Sequence, residues 1–324
     1  MPHSKPHILF MAEPKREILD ALGAHYTLHV MPMQKGPERD AMIAEAAPLA
    51  QVLIPISILA PSTEQVRMMT KLEHLAYLGA GYQSMDLALF KELGVTGSYV
   101  PAVNADAVAE YTLMLTLACV RRLFPADKFI RDGRWGPEFG PPMTPEFRGM
   151  KVGIVGFGEI GRRVAKLCDA FGACVAYHKP TATSDVSYQY YPELAPMARD
   201  VDVLIIACPG GPATRHMIDA EVLAALGPTG YLVNIARGSV VDNDALIPAL
   251  KNGIIAGAAL DVIEGEPDKV PADYLALDNV VLTPHRAGVT EPVVRAQAEG
   301  ALKNLAAHFA GEPLPHPIPD LARD

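Results

Sequence analysis

Short apolar runs alternate with amphipathic stretches along almost the whole chain, which is the rhythm of parallel α/β sheets. Near the N-terminus the runs are His7 to Met11, Val52 to Ile58, Leu75 to Gly79 and Gly94 to Ser98. Apolar positions at helical spacing then predict a long helix over Asn104 to Arg122, with Asp106 near its start, expected to link two domains. A loop rich in Gly and Pro, Gly133 to Gly149, precedes a second alternation. Its strands are expected at Val152 to Val155, Ala173 to Tyr177, Val203 to Ala207, Tyr231 to Asn234, Gly257 to Leu260 and Val280 to Leu282. Such a set, with helices between, makes a doubly wound nucleotide-binding domain. Glu291 to Phe309 is again an amphipathic helix, and because it follows the last strand it most simply returns to the first domain, leaving a Pro-rich strap.

Composition narrows the classes. The 324 residues are 50% hydrophobic and 20% charged, enough for two ordinary cores. A formal charge of -9 repels phosphate backbones, and no basic stripe interleaves with aromatics, so nucleic acid is not an expected partner. The most apolar runs, Val201 to Cys208 and Leu113 to Val120, fall short of the ~20 residues a membrane helix needs. Met1 to Phe10 lacks a long apolar core and a small-residue cleavage site, so a cytoplasmic protein is expected. Cys119, Cys168, Cys174 and Cys208 sit in apolar periodic segments without metal-ligand spacing, which predicts buried reduced thiols and no metal site.

Residues Lys151 to Gly161 read KVGIVGFGEIG, a buried strand followed by three spaced glycines and a helical run. Gly156 permits the tight turn, Gly158 lets backbone amides approach a pyrophosphate, and Gly161 allows close helix–strand packing. The helix start, through Phe157, Glu159 and Ile160, then offers unpaired N–H groups and a partial positive charge. A bare flexible turn is the bland alternative, but the strand before and helix after favour a dinucleotide site. The next strand ends in Tyr177, His178, Lys179, Pro180 and Thr181, where an NAD site would carry an acidic residue for the ribose. Lys179, with His178 and the hydroxyls of Thr181 and Thr183, instead suits a 2'-phosphate, so NADP is expected over NAD.

Three later segments place ionisable residues where parallel strands should end: NIARGSVVD with Arg237, DVIEGEP with Asp261, Glu264 and Glu266, and LTPHRAG with His285. Reducing a 2-keto acid requires hydride at the carbonyl carbon and a proton at its oxygen, a task suited to His. A nearby carboxylate would fix the imidazole tautomer, while a guanidinium would bind the substrate carboxylate and polarise the keto oxygen. Singly, each residue is more readily structural, an ion pair or a satisfied surface or core histidine; their order after a dinucleotide fingerprint and at successive strand ends favours function.

With these segments the chain resembles the D-2-hydroxyacid dehydrogenase family. Matching stretches are LGAGYQSMD at Leu78 to Asp86, VNADAVAEYTL at Val103 to Leu113, GRW at Gly133 to Trp135, RGMKVGIVGFGEIGRR at Arg148 to Arg163, CPGGPATRHMI at Cys208 to Ile218, and the three segments above. The resemblance implies a Rossmann dinucleotide-binding domain over 104–292, inserted in a flavodoxin-like substrate-binding domain of 1–103 and 293–324. It implies that Arg237 binds and polarises substrate, that Glu266 partners His285, and that His285 donates the proton in reduction. Cys208, Pro209, Thr214, Ile235, Ala236, Arg237, Asp261, His285 and Gly288 would join the glycine turn around the cofactor. Ala80 and Gly81 would hold the substrate carboxylate through backbone amides, with Ile56 and Ser57 shaping the pocket. A homodimer built on the helix from Asn104 and the following loop is also implied.

Departures from the family pattern are Tyr111 in place of a frequent His, Arg286 in place of an apolar residue, and Pro209–Gly211 in place of Pro-Leu-Thr. The strand end at Tyr177 to Lys179 resembles that of NADP-using glyoxylate, hydroxypyruvate and 2-ketogluconate reductases. NADPH-dependent reduction of a small 2-keto acid of the glyoxylate/hydroxypyruvate class is therefore expected. Glu266 argues against formate dehydrogenase; 2-ketogluconate reduction, phosphoglycerate or phosphite oxidation, and a non-catalytic dinucleotide sensor are the alternatives.

Overall fold

In the computed structural model, which describes residues 5–55, 60–82, 85–136 and 140–322, the chain divides into two compact units, 1–104 with 289–324, and 105–288. The first holds a parallel sheet of β1 (His7–Phe10), β2 (Thr27–Val30), β3 (Val52–Ile54), β4 (His74–Ala76) and β5 (Thr96–Ser98), in the order β2-β1-β3-β4-β5. This is the flavodoxin-like order. Side chains alternate between two cores. Ile8, Phe10, Val52 and Ile54 meet Val294, Ala298, Ala301 and Leu305 of the helix Glu291–Ala310, while Leu9, Leu53 and Leu75 face the other side. The Pro-rich end forms the expected strap: Tyr99 donates to the His316 carbonyl and Ile318 to that of Gly97. Gly97 is needed there, because a Cβ would lie 2.8 Å from Leu321 and 2.9 Å from Ile318.

The second unit carries seven parallel strands: β6 (Lys151–Val155), β7 (Cys174–His178), β8 (Gln189–Tyr191), β9 (Val203–Ile206), β10 (Tyr231–Asn234), β11 (Gly257–Leu260) and β12 (Val280–Leu282). The order β12-β11-β10-β9-β6-β7-β8 reverses direction beside β6, the switch point at which doubly wound sheets bind ligands. Every residue of β9, β10 and β11 is buried, which is why they stand out as continuous apolar runs. Two strands carry no such signal: β2 and β8 are short, partly exposed edge strands containing Thr27, His29 and Gln189.

The expected linker helix spans Ala105–Val120 and belongs to the second unit, packed on the helix Glu159–Ala170 and on β10 to β12. It stops before Arg122, whose left-handed φ of 49° turns the chain into a further helix, Leu123–Arg131. The thiols are all reduced, as expected, but only Cys119 and Cys168 are buried; Cys174 is exposed and Cys208 intermediate. Among the described residues no helix is long and apolar enough to cross a membrane.

Asn304, 1% exposed on the returning helix, donates to the Tyr99 carbonyl and accepts from the His316 amide, so one side chain fastens both β5 and the strap. Asn304→Ala is expected to cost about 1–3 kcal/mol, read as a lower urea midpoint, because two backbone groups lose their partner. An unchanged midpoint would mean that the strap is held by its apolar contacts alone.

Candidate active site

The glycine turn is fixed by steric limits at two of its three positions. Gly156 has φ +91°, and a Cβ would come within 2.5 Å of the Cys208 backbone; one on Gly161 would lie 2.2 Å from the Gly156 carbonyl oxygen. At Gly158 the opposite holds, since a Cβ there meets nothing within 4 Å. Gly158 is also the N-cap of the helix Glu159–Ala170, with no side-chain cap, so the first-turn amides point out at the switch point. These features fit a dinucleotide pyrophosphate. Phe157 buries its ring against Tyr177, 4.3 Å between centroids, so this residue and the half-buried Ile160 serve mainly as packing.

At the end of β7, His178 Nδ1 lies 3.0 Å from the Tyr191 carbonyl, and the Lys179 carbonyl accepts from the Tyr190 hydroxyl. Thr181 is exposed in the following bend. The sequence shows no carboxylate at the strand end, yet the fold brings one back: Asp185 bonds the Thr183 hydroxyl and pairs with Arg162 at 2.8 Å. The Thr183 hydroxyl, then the Arg162 guanidinium, hold the Asp185 carboxyl down at about 2. Arg162 also lies over the Phe157 ring, 5.3 Å from its centroid. Its place one residue after Gly161, on the helix turn facing this loop, was the only clue to it in the sequence.

Behind β9, burial pushes the Cys208 thiol up to about 11, which removes it as a thiolate. The Thr214 hydroxyl is spent on the Pro209 carbonyl at 2.8 Å. Gly210, the departure from the family pattern, has a physical reason: a Cβ would stand 2.5 Å from Cγ of Arg237, so the glycine lets that side chain pass.

Two buried polar side chains that sequence reasoning left aside or assigned to the cofactor turn out to shape the loops. Asn234, fully buried at the end of β10, donates to the Arg237 carbonyl and accepts from the Ala236 amide, each at 3.0 Å. Ile235 and Ala236 are buried beside it, and Arg237 folds one guanidinium nitrogen back onto the Ala236 carbonyl at 2.7 Å. Asp261, 1% exposed, accepts from the amides of Arg286 and Ala287 and from the Thr283 hydroxyl at 2.8, 2.9 and 2.6 Å. Its carbonyl takes the His285 amide, and this turn holds His285 at φ 52°, a conformation that an L-residue adopts only when its surroundings impose it. Gly288 lies in the turn that follows it, Ala287–Gly288.

So presented, His285 Nδ1 meets Glu266 Oε1 at 2.8 Å, and Glu266 Oε2 accepts from the Ile263 amide at 3.1 Å. A carboxylate only accepts, so Nδ1 carries the proton of that bond and Nε2 is the nitrogen left for chemistry. The imidazole is 36% and the carboxylate 20% exposed, enough for a small molecule to reach the ring while water is partly excluded from the pair. Ala80 ends the bend after β4 of the first unit, and Gly81 follows it. Ile56 and Ser57 lie outside the described residues.

The sequence matches the family model for the D-isomer specific 2-hydroxyacid dehydrogenase, NAD binding domain, over residues 113–287. It is 41% identical over 248 residues to glyoxylate/hydroxypyruvate reductase A of Arabidopsis thaliana, covering 76% of this chain and 78% of that protein. It is 38% identical to 2-ketogluconate reductase of Gluconobacter oxydans, covering 79% and 82%. Among solved structures, the NADPH-dependent glyoxylate/hydroxypyruvate reductase of Sinorhizobium meliloti, in complex with NADP and malonate, superposes with a TM-score of 0.89 at 33% identity, covering 99% of both chains.

Gly158→Ala is expected to keep the native unfolding midpoint while weakening NAD(P)H binding about tenfold or more, because the methyl group would stand where a pyrophosphate must approach. Gly161→Ala should instead lose stability, having backbone in the way. Fluorescence titration beside thermal unfolding separates the two; full affinity in the Gly158 variant would count against this turn as the phosphate site.

Proposed function

Because this chain belongs to the D-isomer specific 2-hydroxyacid dehydrogenase family, we propose that it reduces a small 2-keto acid of the glyoxylate/hydroxypyruvate class to the D-2-hydroxy acid, with NADPH preferred to NADH. That it is an NAD(P)-dependent oxidoreductase follows from membership. The observation that carries the finer reading is the 2.8 Å contact of His285 Nδ1 with Glu266, in the unit that also holds the glycine turn and Arg237.

In this reading the reduced nicotinamide, when bound, supplies the hydride for the keto carbon. Arg237 binds the substrate carboxylate and draws electron density toward the keto oxygen, where negative charge develops. His285, protonated at Nε2, gives its proton to that oxygen, which leaves a neutral imidazole and a 2-hydroxy acid. Glu266 holds the ring in one orientation and stabilises its cationic form before transfer. The family resemblance assigns the substrate carboxylate to the backbone amides of Ala80 and Gly81 as well.

NADPH preference is supported by Lys179 on the loop after β7, by Arg162 of the helix Glu159–Ala170, which reaches Thr183 of that loop, and by the NADPH dependence of the Sinorhizobium relative. Asp185 is paired with Arg162, which tempers its repulsion of a phosphate. A homodimer is supported by apolar side chains left exposed around the helix Leu123–Arg131: Leu123, Phe124 and Ile130 at 55% and Trp135 at 70%.

Purified protein is expected to oxidise NADPH with glyoxylate or hydroxypyruvate faster than NADH, and His285→Ala to lower kcat by about 10²–10⁴-fold with NADPH affinity retained. Turnover with 2-ketogluconate alone would move the substrate assignment to that relative's, and an active His285 variant would remove the proton donor. Sedimentation should give a dimer that Phe124→Glu with Trp135→Glu converts to monomers; a wild-type monomer would refute the assembly.

A further inference from the structure

The turn Ile263–Glu266 carries two carboxylates that leave it toward different neighbours. Glu266 goes to His285. Glu264 goes to Arg215, 2.8 Å from Oε1, and to His216 Nε2, 2.9 Å from Oε2. The turn is closed on itself, with the Glu266 amide donating to the Ile263 carbonyl and the Ile263 amide to Glu266 Oε2. Any shift of Glu264 is therefore passed to Glu266 within a single turn.

His216 is the joint between this turn and the Arg237 segment. Its amide donates to the Ser239 carbonyl at 2.9 Å, and Ile218 continues the contact by pairing with Val240 and Asp242. The backbone of His216 thus holds the segment that follows Arg237 while its ring holds Glu264. Doing both requires φ +50°, a strained value for a residue with a side chain. The two loops also touch directly. A Cβ on Gly238 would lie 2.1 Å from the Ile263 carbonyl carbon and 2.2 Å from the Glu264 amide nitrogen. On the other flank Asn243 donates to the Glu264 carbonyl, and its own oxygen accepts from the buried Tyr274 hydroxyl. Burial pushes the Glu264 carboxyl up, but bonds from His216 and Arg215 outweigh it and hold the group below its usual value, so it is the anionic form that is clamped.

We propose that Glu264 is a positioning residue for the reaction: gripped by His216 and Arg215, it locks the turn carrying Glu266 against the segment carrying Arg237, and so fixes the spacing between the guanidinium and the His285–Glu266 pair. This rests on the roles given to those three residues above. Glu264 itself touches neither substrate nor cofactor. Its effect belongs in kcat, which depends on reacting groups being held to a fraction of an ångström, and not in cofactor affinity.

The test is a double-mutant cycle on kcat with glyoxylate and NADPH, accompanied by NADPH binding and thermal midpoints. Glu264→Ala is expected to lower kcat about tenfold with NADPH affinity unchanged. Glu264→Gln, which keeps an acceptor for His216, should recover most of the rate. His216→Asn tolerates the left-handed backbone but is too short to reach Glu264, so it should reproduce the alanine variant even if that variant folds poorly. In a Glu266→Gln background, adding Glu264→Ala should lower kcat less than about twofold further, because the group it positions is already disabled. A full tenfold loss in that background, or wild-type kcat in Glu264→Ala and His216→Asn, would overturn the proposal while leaving the proposed mechanism standing. Wild-type kcat in Glu266→Gln alone would instead sink the role of Glu266, and this inference with it.

Discussion

Parallel pairing is the constraint from which the site follows. β6, β9, β10, β11 and β12 are adjacent and run the same way, so their carboxyl ends share one edge of the sheet. Residues 156, 208, 237, 261 and 285 follow those strands or the turns just beyond them, and the edge gathers them although they are far apart in sequence. The hydrophobic residues of β9 to β11 are buried on both faces, and a one-residue slip in pairing would disturb both cores together. The register that aligns the loops of the candidate site is therefore specified by packing in the interior of the sheet.

Edges alone do not give geometry, because loops have many conformations. Here the freedom is removed by buried polar side chains, each committed to backbone groups. Asp261 ties Thr283, Arg286 and Ala287, and Asn234 ties Ala236 and Arg237. A carboxylate with 1% exposure is tolerable only because all its bonds are made, and each charge-assisted bond is worth about 1.5–3 kcal/mol. The same economy applies to the unfavourable backbone angles at His216 and His285, both held by surrounding hydrogen bonds. Two of the three left-handed non-glycine residues described in this unit, His216 and His285, thus sit in the turns around the candidate site, as expected when surroundings override local preference.

Glycine works in two opposite senses in this unit. At Gly156, Gly161, Gly210 and Gly238 a side chain would collide with backbone or with Arg237, so glycine allows parts of the site to approach one another. At Gly158 nothing of the protein is near, and glycine keeps a path open to a ligand. All five are the same letter in the sequence; only their surroundings tell assembly from access.

The buried strands, the dinucleotide turn and the candidates Arg237, Asp261, Glu264, Glu266 and His285 could be read from the chain because each depends on local pattern: continuous apolar runs, glycine spacing, an ionisable residue soon after a run; only the family resemblance singled out Glu266 among the three carboxylates. The edge strands β2 and β8 escaped, since a half-exposed strand of mixed polarity carries no such signal. So did the break at Arg122, a left-handed residue in a sequence that continues to look helical. Local pattern left the pairing of carboxylates and bases open, and the tertiary structure made it: it set Glu266 on His285, as the family resemblance implies, sent Glu264 to His216, brought Asp185 back beside Thr183, and turned Asp261 inward. Hydrogen-bond partners dozens of residues apart are chosen by how the sheet and its loops pack, and no spacing along the chain encodes that choice.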